Sequence, residues 1–226
     1  MIYREIQTAI IGSGLSGLMM GHQLQQDYLI FERNKTINTE ISSPFYLHAP
    51  IDWLPTKWKE VDVFHNCWDG EFRRIPDIGM MNDYAKKITG KIINTSLMFM
   101  DGKPKRGHVP VTGRPGQVLE DIIPVVHKNL LTGVTVKAIN PMEKHLVIRA
   151  DDGIDDVCYS YDRLVSTMPL PILLRMLNMK FEHKFVADKI YSWRYMLNQD
   201  IAVDAYQIVN VTALSHSPYR ASLMDQ

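Results

Sequence analysis

The apolar positions along the chain change period several times, and each change marks an element. Gln7 to Ile11 ends in Thr8-Ala9-Ile10-Ile11, a run of the kind buried on both faces of a parallel sheet. Beyond a glycine-bearing turn, Leu15, Leu18, Met19, His22 and Leu24 predict a helix. A short turn at Gln26-Asp27 then leads into a second buried run, Tyr28-Leu29-Ile30-Phe31. Strand, helix and strand in this order predict a βαβ unit of an α/β fold.

From about Lys35 to Arg114 the pattern turns irregular and aromatic. Phe45, Tyr46, Trp53, Trp58, Phe64 and Trp68 are separated by Pro44, Pro50 and Pro55, as in an inserted region rather than a sheet. Within it, Asn82 to Ile88 reads as a helix start with Asn82 as N-cap. A helix follows Gly116, carrying Val118, Leu119, Ile122, Val125 and Val126, and Pro124 is expected to kink or end it.

Three strand signals come next: Val134 to Ile139, His145 to Arg149 and Val157 to Tyr161. Turns at Asn140-Pro141 and Asp151-Asp152-Gly153 make them an antiparallel meander. Arg163 to Thr167 resumes a buried strand, and Pro169 to Leu177 runs into a helix. Trp193, Tyr195 and the strand-like Tyr206 to Val211 return to the irregular region.

Composition narrows the class. The 226 residues are 46% apolar with a formal net charge of zero, so a real core is buried and no global field recruits nucleic acid or anionic membrane. Two distant cysteines, Cys67 and Cys158, and no apolar run near membrane-spanning length point to a reduced, cytoplasmic protein without a signal peptide.

The chemistry sits in the first turn. Gly12, Gly14 and Gly17 form GxGxxG between strand and helix, and Glu32 closes the second strand about 20 residues on. Gly12 permits the tight turn, Gly14 lets backbone approach a pyrophosphate, and Gly17 lets helix pack on strand. Glu32 is placed to accept hydrogen bonds from ribose hydroxyls, and the helix amides meet phosphate charge. Dinucleotide binding stands against an incidental glycine turn, or a Rossmann fold whose site is empty.

The order of elements, with Gly12 to Arg33 at one end and Asp162 to Leu177 at the other, resembles the flavoprotein superfamily of amine oxidases, protoporphyrinogen oxidases and UDP-galactopyranose mutases. The resemblance implies a Rossmann-type FAD/NAD(P)-binding fold with a β-meander and an inserted substrate-binding region. It places the FAD-binding domain at 1–34 and 115–178, and the substrate-facing region at 35–114 and 179–226. It implies that Ser13 and Ser16 bind pyrophosphate, Glu32 the ribose with Arg33 beside it, Val136 the adenine through backbone, and that Thr167 and Pro169 shape the loop near the cofactor. His48, soon after the second strand, corresponds to a region passing near the flavin and is the expected proton-handling, catalytic residue. Where the family carries a Gly-Gly-Arg-like stretch after the ribose acid, this chain has Asn34 to Ile41 without glycine. The family's Gly-Asp segment is also missing up to Gln226, so completion of the flavin site by a partner subunit is one expectation.

The resemblance implies an FAD-dependent oxidoreductase acting on a C–N bond of an amine, with the aromatic insertion walling the substrate pocket. The compact size is similar to that of the small flavoenzymes of bacteriophage thymidine-hypermodification pathways. Glycine-modified thymine in DNA, giving aminomethyl-deoxyuridine in a host cytoplasm, is the narrower expectation. Lys103, Lys105, Arg106 and His108, read as a basic loop around Gly102 and Gly107, would then give a local DNA contact; the bland reading is solvated surface. Trp53, Trp58 and Trp68 equally suit the core of a small cap, and Arg220 is read either as a guanidinium aimed at an anionic substrate or the flavin or as a surface ion pair. His65 and Cys67 lack the further ligands of a zinc site, so no metal is expected. The alternatives are a mutase-like non-oxidative flavoenzyme, a nucleotide-binding Rossmann protein without catalysis, and, from the first motif alone, a nicotinamide dehydrogenase.

Overall fold

The fold is that of a computed structural model, which describes residues 2–24, 27–39, 41, 45–90, 101–151, 153, 155–182, 205–211, 215 and 220–223. The first described elements are strand β1 (Ile2–Ile11), helix α1 (Leu15–Leu24), β2 (Tyr28–Phe31), β3 (Trp58–Trp68), β4 (Phe72–Arg73), α2 (Ile78–Thr89) and β5 (Lys105–Pro110). They are followed by α3 (Gln117–Val126), β6 (Leu130–Leu131), β7 (Val134–Asn140), β8 (His145–Ala150) and β9 (Asp156–Ser166). Helix α4 (Leu170–Met176), β10 (Ala205–Val211) and β11 (Arg220–Leu223) complete the order. The chain divides into two compact units: Met1–Ile41, Asp52–Thr56 and Gly116–Tyr191 form the first, and Ser42–Ile51, Lys57–Pro115 and Ser192–Gln226 the second.

The first unit is built on a six-stranded sheet in the order β6-β2-β1-β9-β8-β7. Its β6, β2, β1 and β9 are parallel, and β8 and β7 fold back as the antiparallel meander. The apolar end of β1 lies between β2 and β9, where Ala9 and Ile10 are fully buried, as its unbroken apolar run requires. Helix α1 turns Gly17, Leu18 and Gly21 inward. A Cβ at Gly21 would stand 2.8 Å from Ile30 Cδ1 and 2.9 Å from Tyr28 Cε2, so this glycine sets how closely the helix lies on β2. Helix α3 buries Val118, Leu119, Ile122 and Val126 and packs beside α1. Alternate sheet positions, Ala9 and Phe31, join Val134, Leu146, Ile148, Tyr159 and Tyr161 in a second core, with Phe31 edge-on to Tyr159 at 5.1 Å.

Three boundaries differ from the pattern reading. Strand β1 begins at Ile2, because its polar first half finds backbone partners along Val157–Tyr161. The signals at Val157 to Tyr161 and Arg163 to Thr167 are one strand, β9; Asp162 and Arg163 expose their side chains while β1 takes up the backbone. Pro124 lies inside α3, which continues to Val126 and then a 3-10 turn, since burial of Ile122 and Val126 holds the last turn against the missing N–H.

The second unit corrects the expectation of an irregular aromatic insertion. Strand β3 pairs in parallel with β10 and antiparallel with β5 and β4, and β10 carries β11. The helix expected from Asn82 starts at Ile78 instead: Asp77 is the N-cap, its Oδ1 accepting from Met80 N at 2.9 Å. Gly90, at φ 72°, closes the same helix by donating to Lys86 O. Tyr84 of α2 reaches the buried Asn210 of β10, donating to its Oδ1 at 3.1 Å.

Candidate functional site

The candidate site forms where β1 ends. Gly12 takes φ +98° while its amide still donates to Phe31 O at 2.9 Å, so the turn begins before the chain leaves β2. Thr167, just past β9, donates to Ile11 O from both its amide and its hydroxyl, each at 2.9 Å. A Cβ on Gly12 would stand 2.3 Å from that hydroxyl, and one on Gly17 would stand 1.9 Å from Gly12 O. Both glycines are therefore required by packing. Gly14 is different: nothing lies within 4 Å of its Cβ position. The space above it is open, and it adjoins the first turn of α1, whose first helical bond runs from Leu18 N to Gly14 O. The amides of Leu15, Ser16 and Gly17 precede that bond and have no acceptor within the helix. An uncovered glycine beside free amides and the positive end of a helix suits a phosphate group.

Glu32 fastens the turn from the other side. Its Oε2 accepts from Ser13 N at 3.0 Å and from Ser13 Oγ at 2.8 Å, and its Oε1 accepts from Asn34 N at 2.8 Å. Partial burial opposes ionisation, but the bonds from Asn34 and Ser13 and the nearby Arg33 charge outweigh it, holding the carboxyl below its ordinary range. The group is an anion at neutral pH. Its own backbone is tied as well: Glu32 N donates to Leu131 O at 2.8 Å, and Val134 N to Glu32 O at 2.9 Å. Strand β7 thus starts beside the acid, and Val136 follows two residues on, paired with Ile148 just before a register shift. Because β7 is the last strand of its sheet, Val136 lies on an edge.

The structure brings Gly12, Ser13, Gly14, Ser16, Gly17, Glu32, Arg33 and Thr167 to one end of the first sheet, with Gly14, Ser16 and Arg33 exposed and Ser13 buried. One further residue belongs to this neighbourhood. Ser166 pairs with Ile11 in register, and its Oγ is buried with no hydrogen-bond partner among the described residues. Only the pairing of β9 with β1 reveals it.

His48 lies in the second unit, exposed, with its ring edge-on to Tyr46 at 5.4 Å. Trp53 belongs to the first unit, 43% exposed beside the His22 ring, while Trp58 and Trp68 sit half-buried on β3. The expected basic loop is largely strand β5. Lys105 is paired with Asp101 at 2.9 Å, Arg106 with Glu60 at 3.6 Å, and His108 Nε2 lies 3.9 Å from Glu60. Lys105 and Arg106 thus each face a carboxylate of their own unit. Among the described residues, no three His, Cys, Asp or Glu side chains group as metal ligands, and no helix is long and apolar enough to cross a membrane.

No protein-family model and no curated protein matches the chain. Among solved structures it is similar to the PF1083 protein from Pyrococcus furiosus, at 16% identity and TM-score 0.51, over 76% of this chain and 61% of that one. A putrescine oxidase redesigned in its cofactor binding aligns at 13% identity and TM-score 0.48, over 77% of this chain and 60% of that one. The rebeccamycin biosynthetic enzyme RebC aligns at 13% identity and TM-score 0.41, over 73% and 33%. The chain thus spans about three fifths of the first two and a third of RebC. At such identities the likeness bears on fold alone, and it is with the PF1083 protein that an α/β fold is shared.

Proposed function

We propose that the chain is a flavoprotein that holds FAD on its first unit and oxidises an amine substrate at a C–N bond. The observation that carries this reading is the clasp of Glu32 on Ser13 beneath an uncovered Gly14. An anionic acid and an open, amide-lined turn lie at one sheet end, which is what the ribose and pyrophosphate of a dinucleotide need. The meander between β6 and β9, starting at the Glu32 carbonyl, favours FAD over a nicotinamide cofactor, since Val136 then offers edge backbone to an adenine. Ser166, whose buried hydroxyl has no partner among the described residues, is a further group available to the cofactor.

When bound, FAD supplies a two-electron acceptor for the carbon beside the nitrogen. The chain's own part is to hold it. Gly14 admits the pyrophosphate, Ser16 and the first α1 amides meet its charge, and Glu32 takes the ribose hydroxyls by exchanging Ser13's hydroxyl for theirs. Arg33 stays at the exposed rim, and Thr167 fixes the turn by holding Ile11 O.

A small-molecule amine is the substrate class we favour over modified DNA, because Lys105 and Arg106 already face Asp101 and Glu60. Glycine-modified thymine remains the narrower form of the proposal. Nucleoside mass spectrometry after incubation with DNA carrying it separates the two. The proposal itself is tested by the absorbance of the purified protein between about 300 and 550 nm, where bound flavin absorbs. A flavin band that bleaches anaerobically with amine supports it. Absence of any band after reconstitution with excess FAD would defeat it.

A further inference from the structure

A groove of about 480 Å³ opens in the first unit where β2 begins, away from the glycine turn beside that strand's other end. It is lined by Glu5 to Gln7 of β1, by Tyr161 and Asp162 of β9, by Asp27 just before β2 and by the turn at Glu143-Lys144 before β8. Continued past the strand ends, the registers of β2 on β1, β1 on β9 and β9 on β8 set Asp27, Gln7, Asp162 and Glu143 in one transverse row. Backbone bonds hold both ends of the row: Thr8 N donates to Asp27 O at 3.1 Å, and Tyr161 N to Lys144 O at 2.9 Å. Neighbouring strands lie about 4.8 Å apart, so the carboxylates of this row are spread along it rather than converged. Glu143 is already engaged, since Asn140 Nδ2 donates to its Oε2 at 3.0 Å and His145 Nδ1 lies 3.8 Å away. Glu5, Asp27 and Asp162 are exposed and form no ion pair among the described residues, and neither does Lys144. Tyr161 is a different feature of the same groove. The residue is only 6% exposed and its hydroxyl makes no hydrogen bond, yet that oxygen is not sealed from solvent. What Tyr161 exposes into the groove therefore includes its phenolic oxygen. Burial pushes the phenol up, so it keeps its proton at neutral pH.

We propose that this groove binds a linear polyamine, an organic chain carrying several ammonium groups along a methylene stem. Its carboxylates outnumber its one lysine, so the lining is anionic and suits a cation. A single metal ion does not match the spread. Calcium, for example, gathers about six to eight oxygens at roughly 2.3–2.6 Å, and among the described residues no three acidic, histidine or cysteine side chains group in that way. Ammonium groups along one flexible chain instead meet carboxylates a strand apart, each donating up to three hydrogens. The Tyr161 oxygen accepts one of these, which gives a buried residue's unpartnered hydroxyl its bond. Ile6 and Tyr161 offer apolar surface to the methylene stem, as protein surfaces do to the stem of a lysine. Exposed ion pairs are individually weak, so the affinity is modest and falls with salt. Gly12 lies about 16 Å beyond Gln7 along the chain, at the rise of a strand. The groove and the glycine turn are separate places on the first unit, and the polyamine site stands whether or not the turn holds FAD.

Spermine titrated into the full chain at low salt tests this, with tyrosine rings isotope-labelled and followed by NMR. Saturation at one spermine per chain is expected, with the Tyr161 ring signals moving. Asp27→Asn combined with Asp162→Asn is expected to weaken binding about tenfold, as the loss of two exposed ion pairs would. Tyr161→Phe is expected to weaken it about threefold, as the loss of one hydrogen bond would. Asp27 and Asp162 are exposed, so the double variant leaves the core untouched. Glu71→Gln removes a charge from the second unit instead and is expected to leave the affinity unchanged. Absence of binding overturns the proposal, and so does saturation with the Tyr161 signals flat. Equal weakening by Glu71→Gln overturns it too, since net charge alone would then explain the binding. Calcium that displaces spermine while moving the same signals overturns the polyamine in favour of an ion. No step of the measurement needs FAD, so its outcome is independent of the flavin reading.

Discussion

Glu32 and Ser13 are joined twice, by amide and by hydroxyl, on a single carboxylate oxygen. The acid that would receive a ribose thus also braces the turn that would receive its phosphates. Glu32→Gln removes the negative charge and turns one acceptor into an amide donor facing Ser13's own donors. Charge-assisted hydrogen bonds contribute roughly 1.5–3 kcal/mol, so both folding stability and FAD affinity are expected to fall. Calorimetric melting and FAD titration read the two losses separately. A melt unchanged with affinity reduced would mean that the clasp serves the ligand only.

The same carboxylate sets an acid limit. Its folded pKa lies below the ordinary 4.5, because the Asn34 and Ser13 bonds and Arg33 together outweigh the opposing effect of burial. Between the two pKa values the unfolded chain binds more protons than the folded one, so stability rises with pH through that window. The contribution is complete above the unfolded value of 4.5 and is lost as pH falls through the folded value. Ser13→Ala removes the hydroxyl bond and is expected to narrow the window from below. Unfolding free energies of both proteins, measured from about pH 3 to 7, should converge at the acid end and separate above it.

Two glycines two positions apart are expected to respond oppositely. Gly12→Ala forces a side chain at φ +98° into the Thr167 hydroxyl, 2.3 Å away, and is expected to destabilise the fold. Backbone strain of this kind costs on the order of 1–3 kcal/mol. Gly14→Ala meets nothing within 4 Å, so its melting temperature should stay near wild type. Its methyl projects into the space assigned to the pyrophosphate, and FAD affinity should fall about tenfold or more, the effect of roughly 1.4 kcal/mol. Equal affinity in Gly14→Ala and wild type would remove the phosphate from this turn.

What the sequence made legible is the local geometry. Gly12, Gly14, Gly17 and Glu32 announce themselves because each answers a backbone demand within one βαβ unit. The Ser13–Glu32 bond depends on β2 lying beside β1, and the Thr167 hydroxyl over Gly12 and the Ser166 hydroxyl, without a partner among the described residues, depend on β9 lying on the other side; none of the three is written in a local pattern. Strand β9 read as two pieces because Asp162 and Arg163 interrupt its apolar run, although exposed side chains do not break a backbone ladder. Strand β5 read as a basic loop for a related reason. Gly107 is a turn signal in isolation, and only the neighbouring Tyr46 and Val63 side chains explain a glycine inside a strand. The sheet around β3 depends on β10, which pairs with it from the far end of the chain, a partnership no local pattern encodes.

Cys67 offers a check on the second unit that needs no ligand. Its side chain is fully buried in a cluster with Met80 and Tyr84. Burial first, then the charges of Asp69 and Asp77, push its thiol up to about 11. The thiolate is the reactive form, so the native thiol should be inert to an alkylating reagent near pH 8 and react only after unfolding. Asn210→Leu sharpens the measurement. It removes the acceptor of the Tyr84 hydroxyl and the donor to Asn66 O, and each hydrogen bond lost costs about 0.5–1.5 kcal/mol. Cys67 alkylation should accelerate accordingly in Asn210→Leu. Rapid alkylation of the native wild-type chain would show that α2 does not cover this face of β3 in solution.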